Sequence, residues 1–563
     1  VIKPNSHESI TPAIFSKQAV STLCLNGWTV LIIAIAGLVS VPVVVVLSSI
    51  FSTSNQIWDH LAATVLPRYL VNSLWLMLGV GMGVLGIGVG TAWLVTLCQF
   101  PGRRLFEWAL LLPLAAPAYV LAYTYTGFLD FAGPVQSFLR YLCGWSAGDY
   151  WFPNIRSLGG AIAMLTLVLY PYVYLLSRVA FLEQSVSTWE ASRILGCGPW
   201  RSFMTIALPL ARPAIVAGLA LALMETLNDF GTVQYFGVDT FTTGIYRTWF
   251  GLGEREAAAQ LAACLLLLIL GLILLERWSR RQAQYYQTHS RERRLLSYPL
   301  QGMRAAIAWL ACFVPLFLGF LLPLALLLQM TIQNARQTLD DRFWGFATNS
   351  FTLSAITAAL AVTIAVLMAY GLRLHASFGM RIAVRIASMG YAVPGSVIAV
   401  GVLLPVGWLD NAIDGWMRAT FGVSTGLLLS GTIAALVFAY LVRFLAVSFS
   451  TVEASLTKIK LTLDDAARSL GHGPTSTLVR VHAPIMWGGL LTAAMLVFVD
   501  VMKELPATIV IRPFNFDTLA VQTYQLAADE RLAEASGLAL AIVAVGIIPV
   551  ILLSLRITQS RQR

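Results

Sequence analysis

The chain has 563 residues, of which 58% are apolar and only 11% charged, and its mean hydropathy is +0.76. Soluble domains carry about 25% charged residues, so this chain cannot cover a water-facing surface and a soluble enzyme is excluded. The net charge of +10 does not indicate a nucleic-acid binder, because the basic excess follows membrane sidedness.

About 28 mixed polar residues come first, without the pattern of a cleaved signal, so the first apolar block reads as a retained anchor. Twelve apolar blocks follow, long enough as helices to cross about 30 Å of hydrocarbon. They lie near 29–51, 70–98, 105–129, 157–182, 204–228, 257–276, 305–331, 350–372, 384–408, 424–447, 484–503 and 537–555. The expected fold is an all-α polytopic membrane protein. The stretches 129–156 and 409–423 are too polar to span and are expected as external loops or surface helices, Trp408–Arg418 among them.

Residues 1–28, 99–105, 178–213, 277–304, 373–385, 443–480 and the C-terminal end hold 26 of the 37 Lys and Arg residues. Acidic residues show the reverse bias. Basic loops stay in the cytoplasm, so both termini are expected there, as an even number of spans requires.

The second half of the chain copies the first. Asn72-Ser73 recurs as Asn349-Ser350, and Pro117 as Pro394, at an offset of 277. Gly196, Pro209, Glu225 and Asp229 recur as Gly471, Pro484, Asp500 and Glu504, at an offset of 275. Six spans per copy give both copies one orientation, related by a pseudo-twofold along the membrane normal with a pathway on the axis. The expected organisation is a cytoplasmic segment 1–28, a first half 29–276, a basic linker 277–304, a second half 305–555 and a tail 556–563. The linker's arginines would also meet anionic lipid.

Several signals carry no chemistry. The six cysteines form no C-x-x-C, and most fall within or beside apolar spans and read as buried free thiols. Gly81-Met-Gly83-Val-Leu-Gly86 fits a nucleotide fingerprint but lies inside a span with no strand before it, where close helix packing explains it better. His60, His472 and His482 form no ligand cluster, and the latter two are expected to shape a cytoplasmic loop. No nucleophile–base set is present, so no catalytic residue is assigned.

The loop between the fourth and fifth spans reads Glu190-Ala-Ser-Arg-Ile-Leu-Gly196, nine residues, then Ile206-Ala-Leu-Pro209. Its copy reads Asp465-Ala-Ala-Arg-Ser-Leu-Gly471, nine residues, then Val481-His-Ala-Pro484. Each predicts a short helix with an acid at its start, a glycine-permitted turn and a proline opening the next span. Ala191, Ala466 and Ala467 leave a smooth face for another protein. This pattern resembles the E-A-A-x3-G-x9-I-x-L-P loop of binding-protein-dependent ABC importer permeases (MetI-like). The first copy departs from it at Ser192, and the second at Asp465, Val481 and Ala483. The resemblance implies that Glu190, Ala191, Gly196, Pro209, Asp465, Ala466, Ala467, Gly471 and Pro484 couple the permease to two ATPase subunits. With no phosphate-binding loop and none of its five lysines in a glycine-rich loop, the chain is not expected to hydrolyse ATP itself.

Glu225 and Asp229 are i and i+4 near the outer end of the fifth span, on one helix face, and Asp500 and Glu504 repeat this on the eleventh. Charges at membrane depth are costly and functional. Four carboxylates around one axis suit a hard cation such as Fe³⁺; the competing reading is structural pairing or a gate, with Lys503 as charge partner. Tyr123, Tyr125, Tyr170, Tyr172 and Tyr174 are weaker pathway candidates, with core packing as the commoner role. The flanks Glu225-Thr-Leu-Asn-Asp-Phe-Gly-Thr232 and Asp500-Val-Met-Lys-Glu-Leu-Pro-Ala-Thr508 resemble fused permeases of bacterial ferric-iron importers. That resemblance implies Fe³⁺ as cargo, no permanent cofactor, ATP on partner subunits, an extracytoplasmic ferric-binding protein and an inner-membrane location. Thiamine or phosphonate as cargo, and a twelve-span secondary transporter, are the alternatives.

Overall fold

The computed structural model describes residues 27–52, 56–146, 148–184, 192, 194–281, 298–338, 340–375 and 377–559. Among these, the only strands are a two-residue parallel pair, Cys98–Gln99 with Tyr298–Pro299. Eleven helices are long and apolar enough to span a membrane, or twelve if one bent pair counts as a single span.

The first half runs through α1 (Gly27–Ser48), α2 (Leu66–Leu97), α3 (Arg103–Ala109), α4 (Ala118–Leu129), the short amphipathic α5 (Pro134–Cys143) and α6 (Leu158–Glu183). It closes with α7 (Leu208–Asn228), the short α8 (Gly231–Tyr235) and α9 (Phe241–Tyr246), and α10 (Arg255–Arg281). The second half runs through α11 (Met303–Leu316), α12 (Leu322–Gln333), α13 (Asp341–Leu374), α14 (Phe378–Ala387), α15 (Gly395–Phe421), α16 (Ile433–Leu456) and α17 (Thr462–Ser469). It ends with α18 (Ala483–Met502), α19 (Thr508–Ile511), α20 (Leu519–Ala528) and α21 (Leu532–Gln559).

The copies fold alike down to single hydrogen bonds. Asn72 Nδ2 donates to the Asp239 carbonyl at 2.8 Å, and Asn349 Nδ2 to the Asp517 carbonyl at 3.0 Å. A π-helical turn precedes Pro209 at Phe203–Ala207 and recurs before Pro484 at Leu478–His482. Gly196 and Gly471 both take the left-handed backbone, at φ 75° and 81°, which a side chain would strain.

The third span of each copy is interrupted. Pro117 and Pro394 hold φ/ψ of −61°/144° and −58°/145° as N-caps of α4 and α15; a proline removes a donor and fixes φ. In the first copy the chain bends by 90° there. Beyond Pro394, α15 continues to Phe421, which corrects the expectation of a loop or separate surface helix at Trp408–Arg418. The acids that made this stretch look like a loop are satisfied by the chain after the helix. Asp410 accepts from the Leu429 and Ser430 amides at 3.0 and 2.8 Å, and Asp414 from the Thr425 amide at 2.8 Å.

The two halves interlock. Helix α1 crosses to pack on α14 and α15, and α10 also lies against α15. In return, α12 and α21 pack around α4 and the chain at Leu112–Ala115. Tyr125 Oη donates to the Leu318 carbonyl at 2.5 Å across this second contact. Small residues make the approach possible: a Cβ on Gly401 of α15 would collide with the Pro42 carbonyl oxygen of α1, and one on Gly546 of α21 with that of Ala115.

Gly401→Ala is therefore expected to cost about 1–3 kcal/mol by overpacking, read as a lower melting temperature of the solubilised protein. Gly407→Ala, in the same helix with nothing within 4 Å, serves as the control for the gain in helix propensity and is expected to hold or slightly raise the melting temperature.

Candidate functional site

The fifth and eleventh spans both stop inside the protein. Helix α7 ends at Asn228, and Asp229 turns extended at φ/ψ −63°/132°. The Asp229 carboxylate accepts from the Thr232 amide (3.1 Å), the Thr232 hydroxyl (2.9 Å) and the Val233 amide (3.1 Å). It thereby caps α8. Helix α18 ends at Met502, and Glu504 accepts from the Ala507 amide (2.9 Å), the Thr508 amide (3.0 Å) and the Thr508 hydroxyl (2.6 Å), capping α19. These are repeat-related solutions to one problem, since orphan amides at a buried helix start need acceptors. They correct the expectation that each acid pair shares a helix face: Asp229 and Glu504 lie beyond the helix ends.

A cavity of about 130 Å³ lies at these ends. Its lining follows the repeat: Leu114 and Tyr391, Val168 and Arg443, Leu169 and Phe444, Glu225 and Asp500, Asn228 and Lys503, Asp229 and Glu504 are all matched positions that reach it. Tyr119 and Tyr172 complete the polar part of the wall. The Asn228 side chain bridges the halves. Its Oδ1 accepts from the Gly395 amide at 2.8 Å, capping α15, while its Nδ2 lies 3.4 Å from Glu225 Oε2.

The charges are unevenly matched. Arg443 Nη1 donates to Glu504 Oε1 at 3.1 Å, with both side chains almost fully buried. Lys503 Nζ pairs with Asp500 Oδ1 at 2.9 Å. Asp229 is held by amides and a hydroxyl. Glu225 has only the long Asn228 contact among the described residues. No group of three or more His, Cys, Asp or Glu side chains among the described residues is arranged to hold a metal ion. In this conformation, then, Glu225, Asp229, Asp500 and Glu504 line one cavity without forming one ligand set, because Asp229 and Glu504 are committed to capping.

Of the tyrosine candidates, Tyr172 reaches the cavity. Tyr123, Tyr125, Tyr170 and Tyr174 are core residues, with the Tyr174 hydroxyl donating to the Glu107 carbonyl at 3.0 Å. Tyr119, Tyr391, Asn228 and Arg443 were not singled out from sequence. Asn228 was findable as the repeat partner of Lys503. Arg443 was counted among cytoplasmic bases because its span was placed at 424–447; helix α16 starts later and runs to Leu456, which carries Arg443 inward.

At the cytoplasmic loops, Glu190 and Ala191 lie outside the described residues. Ser192, which departs from the family pattern, is buried and hydrogen-bonded to Ser202. In α17, Asp465 and Ala466 are exposed and Ala467 is buried. Pro209 and Pro484 sit in the first turns of α7 and α18, after the π turns. Arg373 at the end of α13 fastens this loop: its Nε donates to Asp464 at 3.0 Å, and its Nη atoms to the Leu456 and Ile459 carbonyls at 2.8 and 3.0 Å. His482 Nε2 lies 3.0 Å from the other Asp464 oxygen. His472 contacts Ser476 at 3.2 Å. Leu461, Leu463 and Leu470 are exposed around α17, as are Ile194 and Leu195 on the first loop.

Glu504→Ala is expected to destabilise by about 3–5 kcal/mol, because it strands a buried guanidinium. Membrane abundance and melting temperature would both fall. Glu504→Ala/Arg443→Met removes the stranded charge and is expected to recover part of the loss; no recovery would mean that the ion pair is not what the single substitution breaks.

Comparison with known proteins agrees with this architecture. The sequence profile described as "Binding-protein-dependent transport system inner membrane component" matches residues 26–284. The chain is 26% identical over 499 residues to the Fe(3+)-transport system permease protein FbpB 2 of Haemophilus influenzae, covering 87% of this chain and 90% of that protein. It is 24% identical over 475 residues to the putative ferric transport system permease protein FbpB 1 of the same organism, covering 81% and 72%. It is also 30% identical over 203 residues to the molybdenum transport system permease protein ModB of Escherichia coli, covering 35% of this chain but 86% of ModB. The ferric relatives match both halves, whereas the molybdenum relative matches the length of about one. The chain thus belongs to the binding-protein-dependent transport system inner membrane components, as a fused, two-half ABC importer permease.

Proposed function

We propose that this permease imports ferric iron across the bacterial inner membrane. The observation that carries the reading is the match to a ferric permease over 87% of the chain, combined with a cavity at the repeat interface whose wall holds four carboxylates and phenol oxygens. Hard oxygen donors suit a hard trivalent ion. Glu225, the cavity acid without an ion-pair partner among the described residues, is the residue best placed to meet the incoming charge, with Asp500 as its repeat counterpart. Asp229 and Glu504 support the site by capping the starts of α8 and α19.

In this account the chain supplies the path and its partners supply energy and delivery. An extracytoplasmic ferric-binding protein presents the ion, and two ATPase subunits dock at the loops around Glu190–Gly196 and Asp465–Gly471. The basic bias of the loops supports cytoplasmic termini. Exposed leucines beside α17 support a docking surface there, and the Arg373–Asp464 link ties that helix to α13, through which ATP-driven closure could act on the cavity.

The test is uptake of labelled Fe³⁺ in cells expressing the permease with its ATPase and binding protein, with labelled molybdate as control cargo. Glu225→Gln is expected to lower iron uptake by about tenfold, equivalent to about 1.4 kcal/mol, at unchanged membrane abundance. Unchanged iron uptake on deletion of the permease, in a strain lacking other iron importers, would refute the cargo assignment.

A further inference from the structure

Two of the cavity's repeat positions break symmetry in the same sense. Where the first half has Asn228 and Val168, the second has Lys503 and Arg443. Both substitutions bring a cation to the wall of one cavity. Arg443 has a structural task, since it is buried and bonded to the capping acid Glu504. Lys503 has none of that kind. Its counterpart Asn228 caps the facing helix α15 through Gly395, whereas Lys503 folds back on Asp500 at 2.9 Å and keeps about a third of its side chain exposed. Around it on the cavity wall are Glu225, Tyr172 and Tyr391.

The cavity wall also contains polar groups with nothing to bind. The Tyr119 hydroxyl and the Arg443 Nε are buried and have no hydrogen-bond partner among the described residues. Tyr119 is 6% exposed and Arg443 likewise. Buried polar atoms are normally paired; the Tyr119 oxygen is free to meet a cationic guest, whereas the Arg443 Nε–H can only donate and serves no cation.

We propose that the Lys503 ammonium is a resident counter-ion that holds the place of a hard, multivalent cation between Asp500 and Glu225, with the phenol oxygens of Tyr172 and Tyr391 beside it. An incoming cation displaces the ammonium from Asp500. The ammonium returns as the cation leaves and lowers the affinity of the emptied acids. A transport site must bind well enough to admit its ion and weakly enough to release it. A lysine suits the exchange because its charge is compact and strongly hydrated, on a flexible stem. The inference rests on a cationic cargo but not on iron in particular.

The test uses the full transporter with its ATPase subunits, reconstituted in lipid nanodiscs, and terbium(III) as a hard trivalent probe read by tyrosine-sensitised luminescence. Lys503→Met is expected to tighten terbium binding by about tenfold, Lys503→Arg to bind as the parent does, and Asp500→Asn/Lys503→Met to lose the gain. Iron uptake by Lys503→Met is expected to fall while the retained ion rises. Equal terbium affinity in Lys503→Met and parent would overturn the proposal, as would a gain that persists in Asp500→Asn/Lys503→Met. Lys503→Gln provides the same reading if the methionine variant fails to accumulate. Terbium binding does not depend on the natural cargo. An affinity shift without iron uptake by the parent would retain the counter-ion and remove iron; iron uptake without the shift would do the reverse.

Discussion

Helix ends inside a membrane protein must find partners for their free amides and carbonyls, because no water of the bilayer core will supply them. Four such ends meet in this chain: the starts of α4 and α15 behind Pro117 and Pro394, and the ends of α7 and α18 at Asn228 and Met502. Asp229 and Glu504 satisfy the amides of the short helices that follow, and Asn228 satisfies the Gly395 amide of the opposite half. The cavity is the polar space these terminations leave. Its acids are therefore structural in part, and the chemistry available to a cargo is what capping does not consume.

Duplication explains the rest of the layout, and departures from it are informative. The matched hydrogen bonds of Asn72 and Asn349, and the matched π turns, place corresponding residues on the cavity wall. Yet Arg443 and Lys503 have no charged counterparts, so the two walls differ in charge although they share a backbone plan. The exchange of α1 and α10 toward α15, and of α12 and α21 toward α4, adds a mechanical consequence. Neither half is a free-standing bundle, and any rocking motion must carry the partner's crossing helices with it.

Much of this was legible in the sequence. Hydropathy located the spans, and the 277- and 275-residue offsets located both the repeat and the four cavity acids. What sequence could not supply was the fate of each polar side chain. Asp229 looked like one more turn of α7 because an i,i+4 spacing assumes an unbroken helix; the local signals of the break are Asn228-Asp229-Phe230-Gly231 and, in the second copy, Pro506 after Glu504. Asp410 and Asp414 looked like loop residues because their amide partners lie eleven to twenty residues further on. Arg443 looked cytoplasmic because a buried arginine is distinguished from a loop arginine only by Glu504, sixty-one residues away. The interlocking of the halves depends on contacts such as Gly401 with Pro42, which leave no trace in periodicity.

If the cavity at these four helix ends is the transport site, its access must alternate between the two sides of the membrane during transport. The most direct test is thiol accessibility of Leu114→Cys, on the cavity wall, in a background with the native cysteines removed. The transporter would be reconstituted with its ATPase and treated with a membrane-impermeant reagent on one side at a time. Alternating access at this cavity requires labelling from one side in the nucleotide-free state and from the other side in the ATP-trapped state. Labelling from the same side in both states, or from neither side in either, would contradict it.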